Sequence, residues 1–190
     1  MRPFRRDASS QTGGNAMSER QPVETTNLDR YGSEPLPWSR PRDILAVGSL
    51  GPSVTFFLGT VGPDGSPHAA GVGAVWFEGD LYFNSSPATR KARDLAANPV
   101  CTISARLVGI DLIFEGQATP VDDAGLVSRV AEIFRAGGWP VEVEGALFVG
   151  PYSAPSAGPP PWHLYRSMFD RATGVATAEP YGATRWRFER

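Results

Sequence analysis

Lysine is nearly missing from this 190-residue chain: Lys91 is the only one, and every other basic position is arginine. Cysteine occurs once, at Cys101, and histidine twice, at His68 and His163. A lone cysteine excludes an internal disulfide and fits a reducing cytoplasm. With so few histidines beside it, no Cys/His set has the spacing of a metal site. No apolar run approaches the roughly 20 residues that span a bilayer. The basic start (Arg2, Arg5, Arg6) leads into no apolar segment, so it does not read as a secretory signal. Net charge is only −2 at pH 7, which argues against broad capture of nucleic acid or anionic membrane. There is no Ser-His-Asp pattern and no nucleophile elbow, and "VGSLG" and "GPDG" are not nucleotide-hydrolase phosphate loops.

What is present fits one soluble domain with a sizeable core: 41% hydrophobic and 20% charged residues. Residues 1–26 are polar and poor in aliphatics, and read as a flexible tail; Met17 is an alternative start. Residues 27–190 read as one domain. A short helix is expected over 41–47, stopped by Gly48 and Gly51. Closely spaced strand signals follow. "SVTFFLGTV" leads through the turn "GPDG" into "SPHAAGVGAVWF", then through "EGD" into "LYFNS". "VCTISARLV" and "IDLIFEGQATPV" make a further pair, the second with period-two alternation. The last strand, "ATRWRFER", puts Trp186 and Phe188 on one face and Arg185 and Arg187 on the other. Two helices interrupt the strands: residues 89–98, and a segment capped by Asp122 or Asp123 that Gly137 and Gly138 stop. Many short strands with few helices predict a small antiparallel barrel.

The isolated lysine lies in "NSSPATRKARDLAANP". Asn84, Ser85 and Ser86 end a strand, and Thr89 opens a helix. Arg90 and Lys91 sit in its first turn, where cations are disfavoured by about 0.3–1 kcal/mol each. An anion between them and the helix N–H groups reverses that sign, and a phosphate suits the donor set. The alternative is a pair of solvated surface charges beside a threonine cap.

From Val54 to Val121 the chain resembles the flavin- and deazaflavin-binding split-barrel family that includes pyridoxamine 5′-phosphate oxidase. The resemblance rests on "GPDGSPHAAGV", the aromatic hairpin after it and "TRKARDLAANP"; "GATRWRFE" and "APSAGPPPW" resemble its actinobacterial branch. It implies a mainly β fold, a six-stranded antiparallel split barrel with a few short helices. Also implied is a cofactor phosphate held by Thr89, Arg90 and Lys91, with Asn84, Ser85 and Ser86 beside them. The ring would lie against His68 and Ala69, where Ala70, Gly71 and Gly73 let a flat group approach the backbone. The family further implies a homodimer with the cofactor at the interface, Trp186 and Arg187 coming from the second subunit. The expected cofactor is coenzyme F420, with FMN as the alternative, and the activity hydride transfer to a small conjugated organic substrate. A non-catalytic barrel that stores a flavin or haem is the rival. Unlike true pyridoxamine phosphate oxidases, the hairpin "HAAGVGAVWF" carries no further Arg or Lys. The Pro-rich run "FVGPYSAPSAGPPPWHLYRS" reads as a rim over the substrate pocket, with Tyr152, Trp162 and Tyr165 as candidate walls. Tyr152, His163, Tyr165 and solvent stay open as proton sources.

Overall fold

A computed structural model describes residues 20–51 and 54–189. Among them run eleven strands and three helices. The long path of the sheet has the order β1 (Glu24–Asn27), β11 (Ala183–Arg187), β10 (Trp162–Ala176), β7 (Ile110–Pro120), β6 (Val100–Leu107), β2 (Phe56–Val61), β3 (Pro67–Val72). Every pairing along it is antiparallel. β1 and β3 stand at its ends, so the sheet is split rather than closed. Two hairpins branch onto β10: β4 (Ala74–Phe77) with β5 (Asp80–Ser85), and β8 (Glu142–Glu144) with β9 (Leu147–Val149).

Alternation explains which face is buried. In β2, Phe56, Leu58 and Thr60 point inward while Phe57 and Val61 are exposed. The inner faces close on an aromatic cluster: Trp38 lies 5.3 Å from Trp186 and 4.9 Å from Phe188, both edge-on. A second core forms where helix α3 (Ala124–Ala136) lays Val127, Val130 and Phe134 against Val75, Tyr82, Phe148 and Trp162. β10 bulges between Phe169 and Arg171. Gly116 lies opposite, and a Cβ there would come within 2.2 Å of the Met168 carbonyl, so only glycine fits.

Several expectations change. The strands number eleven, not six, because short hairpins and the edge strand β1 are added to the barrel. Of the tail expected over 1–26, residues 1–19 lie outside the described residues. Within 20–26, Glu24–Asn27 pairs with β11, so the sheet begins before residue 27. "SPHAAGVGAVWF" is two strands, split at Gly73: β3 pairs with β2 and β4 with β5. The first helix, α1, spans Ser39–Leu45, shifted two residues toward the N-terminus. Trp162 is no rim residue; it opens the 15-residue β10 and is buried in the second core. No described helix is long and apolar enough to cross a membrane.

Candidate functional site

β5 is buried along its whole length and delivers Asn84, Ser85 and Ser86 to the start of helix α2 (Arg90–Ala97). Thr89 caps that helix. Its Oγ1 accepts from Ala92 N at 3.3 Å, and its carbonyl accepts from Arg93 N at 3.2 Å. By helix geometry, the N–H groups of Arg90 and Lys91 are the remaining first-turn donors. The Ser85 and Thr89 hydroxyls share a hydrogen bond of 2.7 Å beside them.

Lys91 turns inward. Only 4% of its surface is exposed, and its Nζ donates to the carbonyl of Ser156. Burial lowers its pKa below the ordinary lysine value. An ammonium has three donors, and a carbonyl is a neutral partner for one of them. The Ser156 carbonyl belongs to residues 154–158, a turn in which Gly158 N and Ala157 N fold back on the Ala154 carbonyl at 2.7 and 3.1 Å. The turn also touches the helix start directly: Ser86 N donates to the Ala157 carbonyl at 2.8 Å. Trp162 Nε1 anchors its far end on the Gly158 carbonyl at 2.9 Å.

Arg90 goes elsewhere. Its Nη2 donates to Ser66 Oγ at 3.0 Å, in the turn between β2 and β3, and its Nε stands 3.8 Å from Asp94 Oδ2. Asp94 is buried, accepts from Thr60 Oγ1 at 2.8 Å, and faces His68 Nδ1 at 3.6 Å. Thr60 and His68 also line a groove of about 760 Å³ that crosses the sheet over β2, β3, β6, β7 and β10. Its floor is small-featured. Gly59 lies between Ala69 and Thr102, and a Cβ on it would meet Thr102 Oγ1 at 2.5 Å. Asp94 thus joins the helix start to the groove.

The structure brings Ser85, Ser86, Thr89 and Lys91 together, with Asn84 on the strand just before them. His68 and Ala69 lie in the groove. Trp186 is a correction: it is fully buried, with its Nε1 donating to the Leu36 carbonyl at 3.2 Å, so its ring is core and walls no open site. Arg187 is exposed, paired with Glu24 at 2.8 Å, and sits across from the groove residue Arg171. Tyr165 stacks on Phe83 with ring centroids 5.2 Å apart, and Tyr152 donates to the Pro140 carbonyl at 3.1 Å. Burial raises both phenol pKa values, so both stay protonated near neutrality. His163 lies across from Ser85 on β10. Sequence reading missed Thr60, Asp94 and Ser156. Asp94 had a signal, the i,i+4 spacing from Arg90; the other two did not. Among the described residues, no group of three His, Cys, Asp or Glu side chains is placed to hold a metal.

No curated protein matches the chain. Solved structures do share its fold. An FMN-binding protein related to pyridoxamine 5′-phosphate oxidase, from Nostoc punctiforme, is 19% identical with a TM-score of 0.51, over 79% of this chain and 91% of that one. A NimC/NimA family protein from Clostridium acetobutylicum is 17% identical with a TM-score of 0.51, over 78% and 90%. A heme binding protein from Mycobacterium smegmatis is 15% identical with a TM-score of 0.51, over 74% and 54%. Residues 49–156, which contain β2 to β9, α2, α3 and Ser156, match the profile of one family. The chain belongs to the pyridoxamine 5′-phosphate oxidase family.

Proposed function

We propose that this protein is an oxidoreductase that holds a flavin-type cofactor, coenzyme F420 or FMN, by its phosphate at the start of α2. The observation that carries the reading is the buried Lys91 ammonium, bonded to a neutral carbonyl and, among the described residues, matched by no carboxylate. A buried cation is costly unless an opposite charge compensates it. The donor set around it suits a phosphate: two helix N–H groups, the Ser85 and Thr89 hydroxyls, and the ammonium itself.

A bound deazaflavin would supply hydride transfer, and FMN would add reaction with oxygen. The chain's own part is binding, orientation and exclusion of water. Gly59 and Ala69 keep the groove floor low enough for a planar group. Asp94 fixes Thr60 and faces His68 on the side of β2 and β3 opposite Gly59 and Ala69, tying the start of α2 to the strands that floor the groove. The outer sheet face around the groove exposes Phe57, Val61, Val100, Ile113 and Met168. An apolar patch of this kind supports a homodimer that covers the groove. The small-molecule substrate would stack within that covered space. Titration with FMN and F420, followed by turnover assays of the loaded protein with enones and quinones, tests the proposal. Tight binding without turnover under any reductant would favour the storage reading instead.

A further inference from the structure

We propose that residues 154–158 form a strap that competes with the cofactor phosphate for Lys91, so that a ligand without a phosphate does not open the site. The inference rests on reading the α2 start as the phosphate site.

The strap occupies that site's charge. Its Ser156 carbonyl holds the Lys91 ammonium, and its Ala157 carbonyl holds the Ser86 N–H. The ammonium belongs to the donor set that a phosphate would use, and the Ser86 N–H lies at the strand end beside that set. The strap is also lightly attached. Pro155, Ser156 and Pro159 are exposed, so lifting it uncovers two small side chains, the buried Ala157 and the half-buried Ala154. Its internal bonds, from Ala157 N and Gly158 N to the Ala154 carbonyl, let it move as a unit. Breaking its two contacts with the helix start disfavours the open form by roughly 30- to 2,000-fold. Apparent affinity for any ligand that needs the open form falls by the same factor. A phosphate offsets this, because it meets the Lys91 ammonium with an opposite charge, whereas the Ser156 carbonyl is a neutral acceptor. Riboflavin has the ring and ribityl chain of FMN but nothing to offer Lys91.

Because Lys91 is the only lysine, an amine-selective acylating reagent reports on it and the N-terminal amine alone, and peptide mass separates the two. Replacing Pro155 and Pro159 by glycine together loosens the strap without removing buried surface. Lys91 acylation and FMN affinity should both rise about 4- to 30-fold, with riboflavin still binding weakly. The opposite variant clamps it. A Cβ at Gly158 would lie 3.5 Å from Ser86 Cβ, at the lower end of the range for a disulfide; Gly158 has φ +78°, which strains any side chain there, so the comparison is the oxidised against the reduced form of the one variant. The native Cys101 is buried, with its thiol pKa pushed up to about 11, and does not compete. In Ser86→Cys/Gly158→Cys, both Lys91 acylation and FMN binding should be lower in the oxidised form than in the reduced form of the same protein. Equal acylation of loosened and wild-type protein, or of oxidised and reduced clamp, overturns the strap while leaving FMN binding intact. Acylation that follows the strap in protein binding neither FMN nor F420 overturns the phosphate reading, and the competition with it.

Discussion

Replacing Lys91 by methionine separates binding from stability. In the ligand-free protein the ammonium is buried, and one neutral carbonyl is its partner. Methionine keeps the apolar stem and removes the charge. The lost bond to Ser156 is worth about 1.5–3 kcal/mol, and the relieved desolvation is of the same order. Net stability should therefore stay within about 1 kcal/mol of wild type, or rise. Binding behaves differently. Removing one partner of a buried ion pair costs about 3–5 kcal/mol. The carbonyl bond that Lys91 gives up when phosphate arrives subtracts about 1.5–3 kcal/mol from that. The difference, about 1–3 kcal/mol, is a 5- to 150-fold rise in Kd for FMN or F420. Calorimetric titration gives the second number and thermal melting the first. A Lys91→Met protein that bound flavin phosphate within twofold of wild type would refute the phosphate role. One that lost several kcal/mol of stability would show instead that Lys91 is a structural clamp for residues 154–158.

Further outcomes follow from the same geometry. Flavin phosphate affinity should be intact at neutral pH and fall as pH rises through the Lys91 pKa, which burial sets below 10.5; a pH series of titrations locates that midpoint. Ligand-free stability should move the other way, rising with pH across that window, because the unfolded chain holds the Lys91 proton more tightly than the folded one. Asp123 caps α3 through Gly125 N at 2.8 Å and Leu126 N at 3.1 Å; Asp123→Ala should lower Tm by about 2–4 °C, the effect of about 1 kcal/mol, and leave flavin Kd unchanged. Gly116→Ala would drive a Cβ to within 2.5 Å of Phe169 Cα; denaturant unfolding should show a loss of at least about 2 kcal/mol.

Helix α2 was legible because its signals are local: Thr89 as cap, apolar spacing to Leu95, and the Asn98-Pro99 stop all lie within a few residues. The β2–β3 turn was legible for the same reason. Trp186 shows the limit. Period two places it with Phe188 on one face but does not say whether that face meets a ligand or the Trp38 cluster. The contact that defines the site, Lys91 to Ser156, spans 65 residues and ends on a backbone carbonyl. No side-chain pattern encodes such a bond. Pro-rich residues 151–161 carry no periodicity, so their place over α2 came only with the fold. β10 escaped for a related reason: its bulge breaks the alternation between Phe169 and Arg171.

The most direct measurement is an equilibrium titration of the purified protein with FMN and F420 in parallel, with riboflavin as the phosphate-free control. The account predicts that at least one phosphate-bearing cofactor binds with a Kd of about micromolar or better, and that riboflavin binds far more weakly. If FMN and F420 both failed to bind, or riboflavin bound as tightly as FMN, Lys91 and the start of α2 would not be a cofactor phosphate site.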